Sequence, residues 1–475
     1  MKHLPPLLVA LALAACGQTP AYQRPTITPP ARWREDPQAV SAAPLRVDWW
    51  AAFECAELNA LMTRATAQNY DLAAAIARVQ EANAQARISG AALLPSLEVD
   101  GQVERTKQNI PEPKTYNDYA LGAEASYEVD FWGKNRSAYN AARETAIAAA
   151  FDREVVRLTT ESSVANSFFQ TVSLTMRIAI AQQNLATAQK LLTGLRKEFA
   201  VGIVTSLDVT QQETLVASLT ASIAPLQQQR SQSLDTLAIL VGETPEQLAL
   251  TTATLDVVGS PSVPPGLPSQ LLERRPDVRE SEAQLLAANY DIGNARAQFF
   301  PSINLTAQGG VESTALANLF TPQGLVYDLV AALAQPIFEG GKLRGQLNYA
   351  QAKYREQLAD YGKAVVSAFG DVENNLAAAT RSQQAIAATR QALAKARTAL
   401  HMVQTQFKAG TVNVVQVLQV EQTLFNEEDA YAQTRLAQLQ GMVGLAKAIG
   451  GGWSDQAAPP TPSEAPSVPV GGPAS

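Results

Sequence analysis

The chain has 475 residues and a formal net charge of −7, the wrong sign for a protein that binds nucleic acid through its phosphates. Two cysteines and two histidines are too few for a disulfide framework, and they make a metal site or a Cys–His pair improbable. Aromatic residues are only 6% of the chain, and alanine and glutamine dominate its long middle segments. This composition favours long, closely packed helices over a compact enzyme, so we expect no enzymatic activity and no metal.

Residues 1–15 have the layout of a secretion signal, with a positive charge at Lys2 and an apolar core too short to span a bilayer as a helix. The stretch from Leu13 to Cys16 resembles a bacterial lipoprotein box, in which the thiol is acylated and the chain is cut before it. The alternative is an ordinary signal peptide followed by a chance cysteine. We predict a covalent lipid on Cys16 and no other cofactor.

The next segments alternate between extended and helical patterns. Residues 16–48 are proline-rich, and helical spacing of apolar residues begins near Trp49 and ends near Gly90. Residues 96–132 then alternate polar and apolar side chains in two runs, as strands do. Ten such residues at about 3.3 Å each, tilted by about 45°, cover the roughly 25 Å apolar band of an outer membrane. A soluble hairpin with one wet face gives the same alternation.

Long helices are predicted after the hairpin. Nothing but one glycine interrupts the helical pattern over residues 135–200, which would be about 100 Å long at about 1.5 Å per residue. A turn at Gly202 leads to a return helix over residues 207–240, which we expect Pro225 to bend. Residues 261–270 read as a linker, and the proline- and glycine-rich residues 453–475 as a disordered tail.

The chain then repeats itself. Asn69 and Arg275 begin matching stretches at an offset of 206, and the turn after Phe199 matches the turn after Phe407 at an offset of 208. We infer an internal duplication, because matching segments recur in the same order. The predicted first repeat is 49–260; the second is 271–452, with a hairpin over 301–338, a long helix over 342–408 and a return helix over 414–449.

Four predicted strands per chain cannot close a barrel, and an open sheet edge cannot lie in lipid. If the strands cross a membrane, two chains would supply eight strands and three chains twelve. Aromatic residues at the strand ends would then form an interfacial belt, although they also suit a core between sheet and helices. One strand face would line an acidic, cation-preferring lumen, or a merely solvated face without selectivity. Its carboxylates are Glu98, Asp100, Glu124, Glu128 and Asp130.

Several phrases resemble those of the TolC family of outer-membrane efflux factors, in its OprM- and NodT-like lipoprotein branch. The resemblance covers roughly Trp49 to Trp453. The phrases are Asp48–Phe53, Leu271–Asp277, Ile292–Ser302 and Gln335–Gly341.

This resemblance implies a mainly α fold with transmembrane β-strands. It implies a homotrimer with a twelve-stranded β-barrel in the cell outer membrane and a helical α-barrel extending into the periplasm. The implied partners are a periplasmic adaptor, contacting two helix–turn–helix tips, and an inner-membrane proton-driven pump. The implied adaptor-contact residues are Val201, Gly202, Thr205, Leu207, Ala409, Gly410 and Asn413.

Relatives close the periplasmic end with rings of side chains early in the last return helix. Aligned on the Ala409–Gly410 turn, the apolar ring falls on Val415, and Gln419 and Gln422 stand where the family pattern has Asp and Arg, with Glu421 close by. Amides therefore replace a charged latch, so we expect closure to depend little on salt and the resting channel to leak more.

Three functions fit these observations. The first is a passive exit duct for drugs or other small molecules, fed by the adaptor and the pump. The second is the same duct serving type I protein secretion. The third is a non-conducting lipoprotein that only bridges the membrane and the periplasm.

Overall fold

Helices dominate the computed structural model of the chain, together with one sheet. The predicted signal peptide, Cys16 and all of the predicted disordered tail except Trp453 lie outside the described residues. The structure describes residues 18–36, 39–40, 43, 45–108 and 114–453.

The two halves of the chain form helices of matching length. The two long helices have 67 residues each and the two return helices have 35 each. The first return helix continues through Pro225 without a break. None of the helices among the described residues combines the length and the hydropathy needed to cross a membrane. The α-helices are α1 (Ala56–Gln68), α2 (Tyr70–Ala91), α3 (Lys134–Ala200), α4 (Ser206–Leu240), α5 (Pro268–Arg274), α6 (Pro276–Ala297), α7 (Lys342–Lys408) and α8 (Val414–Ala448).

The strands form one antiparallel sheet in chain order, so the first and last strands each have a single strand partner. Much of the polar stretch 106–118 inside the predicted hairpin is strand, because pairing continues to Gln108 opposite Lys114. Polar side chains dominate this part of the hairpin, and the ladder is held by backbone hydrogen bonds that polarity does not reveal. The strands are β1 (Ser96–Gln108), β2 (Lys114–Glu128), β3 (Ser302–Ser313) and β4 (Leu325–Ala334).

The chain divides into two compact units. One contains the sheet and comprises, among the described residues, those from 18 to Ile27 together with Ala77–Phe151 and Arg279–Ala364. The other comprises Thr28–Ile76, Asp152–Val278 and the rest from Val365.

The core of the second unit joins both sequence repeats. Phe53 packs against Phe169 of α3 with ring centroids 5.2 Å apart. Leu237 near the end of α4 and Leu439 of α8 are buried in the same cluster. The buried Arg435 of α8 donates to the carbonyls of Leu255 and Val258, fixing the connector after α4 on this core. The two repeats therefore share one core here.

A second buried arginine explains the Leu271–Asp277 phrase. The guanidinium of Arg275 donates to Asp277 at 2.9 and 2.6 Å, to Asp371 of α7 at 3.0 Å and to the carbonyl of Ala448 at 3.1 Å. Such a fork of charge-assisted hydrogen bonds compensates the burial of its charge. It ties the start of α6 to the middle of α7 and the end of α8.

The N-terminal segment packs along helices of the first unit. The side chain of Asn289 donates to the carbonyl of Pro20 at 2.9 Å, and Arg24 pairs with Glu282 at 2.8 Å. Thr19 lies so close to Gly293 of α6 that a Cβ there would stand 2.9 Å from the Cα of Thr19. Only glycine at residue 293 leaves room for the segment.

Gly293→Ala should therefore displace the segment around Thr19. We expect faster protease cleavage within residues 18–36 of the detergent-solubilised protein, measured by mass spectrometry. Gly370→Ala is the matched control, since a Cβ at residue 370 of α7 meets no atom within 4 Å. It should leave cleavage unchanged and stabilise the exposed helix by about 0.5–1 kcal/mol. Equal cleavage of both variants would contradict the packing argument.

Candidate functional site: sheet faces and helical tips

One face of the sheet is apolar and nothing in the described chain covers it. Leu97 and Val99 on β1 and Leu329 on β4 are at least 70% exposed. In water, each Å² of this surface left uncovered would forgo about 25 cal/mol of the free energy gained when apolar area is buried. It therefore requires lipid or another protein surface. Further exposed members of this face are Val103, Leu121, Leu305, Leu325, Tyr327 and Leu333.

The opposite face carries a row of polar side chains across all four strands. Glu98 pairs with Glu124, Glu124 with Gln308, and Gln308 with Asp328 in the strand registers. The amide of Gln308 donates to the carboxylate of Glu124. The register thus adds Asp328, which sequence reasoning missed because its neighbours on β4 are apolar on both sides.

Two of the predicted lumen carboxylates are engaged at the corner between β2 and α3. Glu128 forms an ion pair with Lys134, the first residue of α3, at 2.5 Å. Asp130 accepts hydrogen bonds from the backbone N–H groups of Asn135 (2.9 Å) and Arg136 (2.7 Å), which caps the N-terminus of α3. Neither contact was evident from alternation alone.

The aromatic side chains at the strand ends divide between the two predicted roles. Trp132 stacks on Phe300 at 4.7 Å between ring centroids and donates to the carbonyl of Pro301 at 2.8 Å. These two rings form a packed corner between strands and helices. Phe338, by contrast, is almost fully exposed, and Phe131 is partly so, as expected of side chains in contact with a membrane interface.

Both helical turns have the backbone geometry predicted for them. Gly202 and Gly410 adopt φ values of +77° and +69°, which glycine favours at a helix C-terminus. Thr205 and Asp208 form a capping box: Thr205 N–H donates to Asp208 at 2.8 Å, and Asp208 N–H donates to the Thr205 hydroxyl at 3.3 Å. At the second turn, Asn413 accepts from the N–H of Gln416 at 3.2 Å.

The two tips differ in surface although they share this geometry. We call residues 199–207 the first tip and residues 407–415 the second tip. The first tip exposes large apolar side chains, led by Ile203 at 72%. The residue that corresponds to Ile203 in the second tip is Thr411. The other exposed apolar residues of the first tip are Phe199, Val201 and Leu207.

The sequence matches the profile described as outer membrane efflux protein twice, over residues 61–243 and 267–451. The chain belongs to the outer membrane efflux protein family.

Similar proteins are named for export, for efflux or as outer membrane channels. The pyoverdine export outer membrane protein OpmQ of Pseudomonas aeruginosa is 38% identical, over 95% of this chain and 97% of that protein. The cation efflux system protein CusC of Escherichia coli is 30% identical, over 94% of this chain and 98% of that protein. The solved open-state outer membrane channel MtrE of Neisseria gonorrhoeae has a TM-score of 0.82 and 27% identity, covering 92% of this chain and 98% of that one. The predicted function, an efflux channel of the outer membrane, is confirmed.

The predicted gate residues of this efflux protein do not share one surface. Gln419 and Gln422 are exposed on α8, and Val415 is half-buried. The amide of Gln422 donates to Asn426 at 3.0 Å. Glu421 is instead 1% exposed. Along α8 it lies between the buried Val417 and the buried Leu424 and Phe425.

The buried Glu421 carboxyl is chemically unusual. Burial raises its pKa from 4.5 to about 7, and its Oε2 atom has no hydrogen-bond partner. Helical spacing from Val417 to Leu424 and Phe425 put residue 421 on the apolar face of α8, but a glutamate is rarely buried without a partner, and sequence reasoning grouped it with Gln419 and Gln422.

No group of three or more His, Cys, Asp or Glu side chains suited to a metal ion occurs within residues 18–36, 39–40, 43, 45–108 and 114–453. His401 lies exposed on α7, and Cys55 is buried as a free thiol. The efflux protein family consists of transport ducts.

Substitutions at Asp130 should separate its capping role from a role in ion selectivity. Asp130→Ala removes the acceptor of two backbone N–H groups and should cost about 0.5–2 kcal/mol of stability, whereas Asp130→Asn keeps one oxygen and should cost less. Thermal unfolding in detergent measures this. Glu98→Gln, on the exposed polar face, should leave stability unchanged and lower cation preference in planar bilayers. A larger selectivity change from Asp130→Asn than from Glu98→Gln would contradict the assignment.

Proposed function

We propose that three copies of this efflux protein form one channel, in which their sheets close a shared twelve-stranded barrel in the outer membrane. The observation that carries the proposal is the four-stranded sheet with two unpaired edges and an uncovered apolar face. Unpaired backbone groups at an edge cannot remain in lipid, so β1 of one copy must pair with β4 of the next. Three copies give twelve strands and leave a lumen, whereas eight strands would be filled by side chains.

The apolar face would then contact lipid and the polar row would line the lumen. Glu98, Glu124 and Asp328 would give each copy three carboxylates at one level of the barrel. Such rings favour cations over anions.

We further propose that Cys16 carries acyl chains that insert beside this barrel. Thr19 lies against Ser137 at the start of α3, with their hydroxyls 3.1 Å apart, and thus close to the corner that ends β2. Three residues span at most about 10 Å. An acyl group on Cys16 would therefore enter the membrane close to the strand ends.

The cargo proposed for the channel is small molecules, delivered by an inner-membrane pump through a periplasmic adaptor. OpmQ is named for pyoverdine export and CusC for cation efflux. Both names describe small cargo. The acidic polar row suits cationic molecules and metal chelates better than anions.

The adaptor is proposed to bind the helical tips, with the first tip giving most of the apolar contact. Ile203, Val201 and Leu207 are exposed there without covering residues, and burying them against an adaptor removes apolar area from water. The second tip would contribute hydrogen-bonding groups such as Thr411 and Asn413.

The trimer proposal is tested on the acylated protein purified in mild detergent. Chemical cross-linking followed by mass measurement should give a trimer, and planar bilayers should show single-channel currents. A monomer that carries no current would refute the proposal. A dimer that carries current would instead indicate an eight-stranded barrel formed by two copies.

The tips offer a matched pair of substitutions. Ile203→Asp should weaken binding of the purified adaptor by about 10- to 100-fold, because full burial of an isoleucine side chain is worth about 1.5–3 kcal/mol. Thr411→Asp places the same charge at the corresponding residue of the second tip and should cost less. Titration by surface plasmon resonance measures both. A larger loss from Thr411→Asp would reverse the assignment of the apolar contact to the first tip.

The proposed gate can be tested by restoring charge. With Gln419→Asp and Gln422→Arg combined, we expect a lower resting conductance that rises again with ionic strength, because salt screens exposed ion pairs. The unmodified channel should show no such salt-dependent closure beyond the bulk conductivity. If Gln419→Ala leaves both conductance and antibiotic uptake unchanged, the gate lies elsewhere.

A further inference from the structure

Two buried oxygen atoms near the start of the return helices lack hydrogen-bond partners. One is Oε1 of Gln212 on α4, a residue with no exposed surface, and the other is Oε2 of Glu421 on α8. The amide nitrogen of Gln212 is already engaged, donating to the carbonyl of Ala188 on α3 at 2.7 Å. A buried acceptor without a donor costs about 1–3 kcal/mol, so each oxygen requires an explanation.

The packing of α4 and α8 puts these two residues at the same level. The starts of both helices share one cluster: Leu424 and Phe425 are buried members of it, and Leu215 packs against it. The ends of both helices share another, which contains Leu237 and Leu439. The two helices therefore run parallel.

Gln212 precedes Leu215 by three residues, and Glu421 precedes Leu424 by three residues. Three residues is about one helical turn, so each side chain lies on the cluster face of its helix, one turn nearer the tips. Both side chains are buried.

An ionised carboxylate and an amide oxygen are both acceptors and cannot bond to each other. A proton on Glu421 changes this, because the carboxylic acid becomes a donor. A single O–H···O bond would then give both unpartnered oxygens a partner.

We propose that Glu421 is held protonated and donates to Gln212, forming a proton-dependent link between the α3–α4 hairpin and the α7–α8 hairpin next to the tips. Loss of the proton removes the donor and leaves a charge in the seam. The link therefore holds below neutral pH and loosens above it. Its consequence for channel opening rests on the function proposed above, whereas the link itself does not.

The electrostatic surroundings agree with this assignment. The pKa of Glu421 is raised to about 7 by burial alone, with no contribution from a neighbouring charge. The folded-state pKa lies above the ordinary value of 4.5, so the bond is complete at low pH and is lost as pH rises through about 7.

The charged side chains at this level are exposed or partly exposed, and the Arg196–Glu213 and Arg397–Glu428 pairs neutralise each other at 2.7 and 3.4 Å. Together with His401, the charged groups on the packed helices near this level are Lys190, Arg196, Lys197 and Glu198 on α3, Asp208 and Glu213 on α4, Lys395, Arg397 and Lys408 on α7, and Glu427 and Glu428 on α8.

The protonation state can be measured directly on the full mature protein in detergent. Infrared difference spectra recorded during a pH titration should show a protonated carboxyl band that disappears with a midpoint near neutral pH. Glu421→Gln should remove this band. Glu427→Gln, the same change at a partly exposed residue of α8, should leave it in place. A band that persists in Glu421→Gln, or one already lost at about pH 5, would overturn the proposal.

The link itself is tested by hydrogen–deuterium exchange of peptides that cover the first turns of α4 and α8. In the unmodified protein, protection should fall by about tenfold or more between about pH 6 and pH 8.5 after correction for intrinsic exchange, since one pKa unit corresponds to a factor of ten. Glu421→Gln carries a permanent N–H donor and should stay protected at both pH values. Gln212→Leu should be poorly protected at both.

An equal pH response in Glu421→Gln and the unmodified protein would reject the link even if both proteins conduct normally. Conversely, a normal exchange result in a protein that carries no current would leave the link intact and reject the channel proposal. The two ideas therefore fail separately.

Discussion

The structure depends on one constraint: backbone hydrogen-bonding groups at a sheet edge must find partners. β1 and β4 each have one strand neighbour, and the apolar side chains beside them are uncovered. A single chain could satisfy these groups only in water, where the apolar face is unfavourable. Each additional copy supplies the partner strand and extends the apolar wall at the same time. Oligomerisation and membrane insertion are thus two results of the same unmet requirement.

The internal duplication gives the chain two copies of the same helical hairpin. Long helices of 67 residues and return helices of 35 residues occur once in each repeat, and their turns use the same glycine and cap geometry. Yet Ile203 and Thr411 occupy corresponding sites on the two tips. Backbone geometry is common to both repeats because the same helix-ending chemistry is needed twice. The surface could diverge because exposed side chains do not determine the turn.

Buried polar groups divide into two kinds in this protein. Arg275 and Arg435 each bond to carboxylates, carbonyls or hydroxyls from other elements, so their burial fixes the connections among helices. Glu421 and Gln212 are different, because each retains a free acceptor. The satisfied groups suit permanent structure, whereas an unsatisfied pair can respond to its surroundings. Both residues lie close to the tips, so a change in their hydrogen bonding would act on the end of the channel.

The sequence by itself determined the helices, the hairpins, the turns and the family. These follow from local periodicity, from glycine and capping residues, and from repeated phrases such as Leu271–Asp277, all of which are visible along the chain. Sequence reasoning was least accurate where polar residues continue a strand, as in the pairing up to Gln108. There the backbone ladder, and not side-chain polarity, decides the structure.

Only the tertiary structure decided which polar residues are free. Alternation put Asp130 with the lumen carboxylates, but its contact with the N-terminus of α3 makes it a cap. Position along α8 put Glu421 beside Gln419 and Gln422, but packing between helices buries it. Burial and hydrogen bonding depend on residues distant in sequence, and the energy of a charge depends on both. No local pattern contains that information.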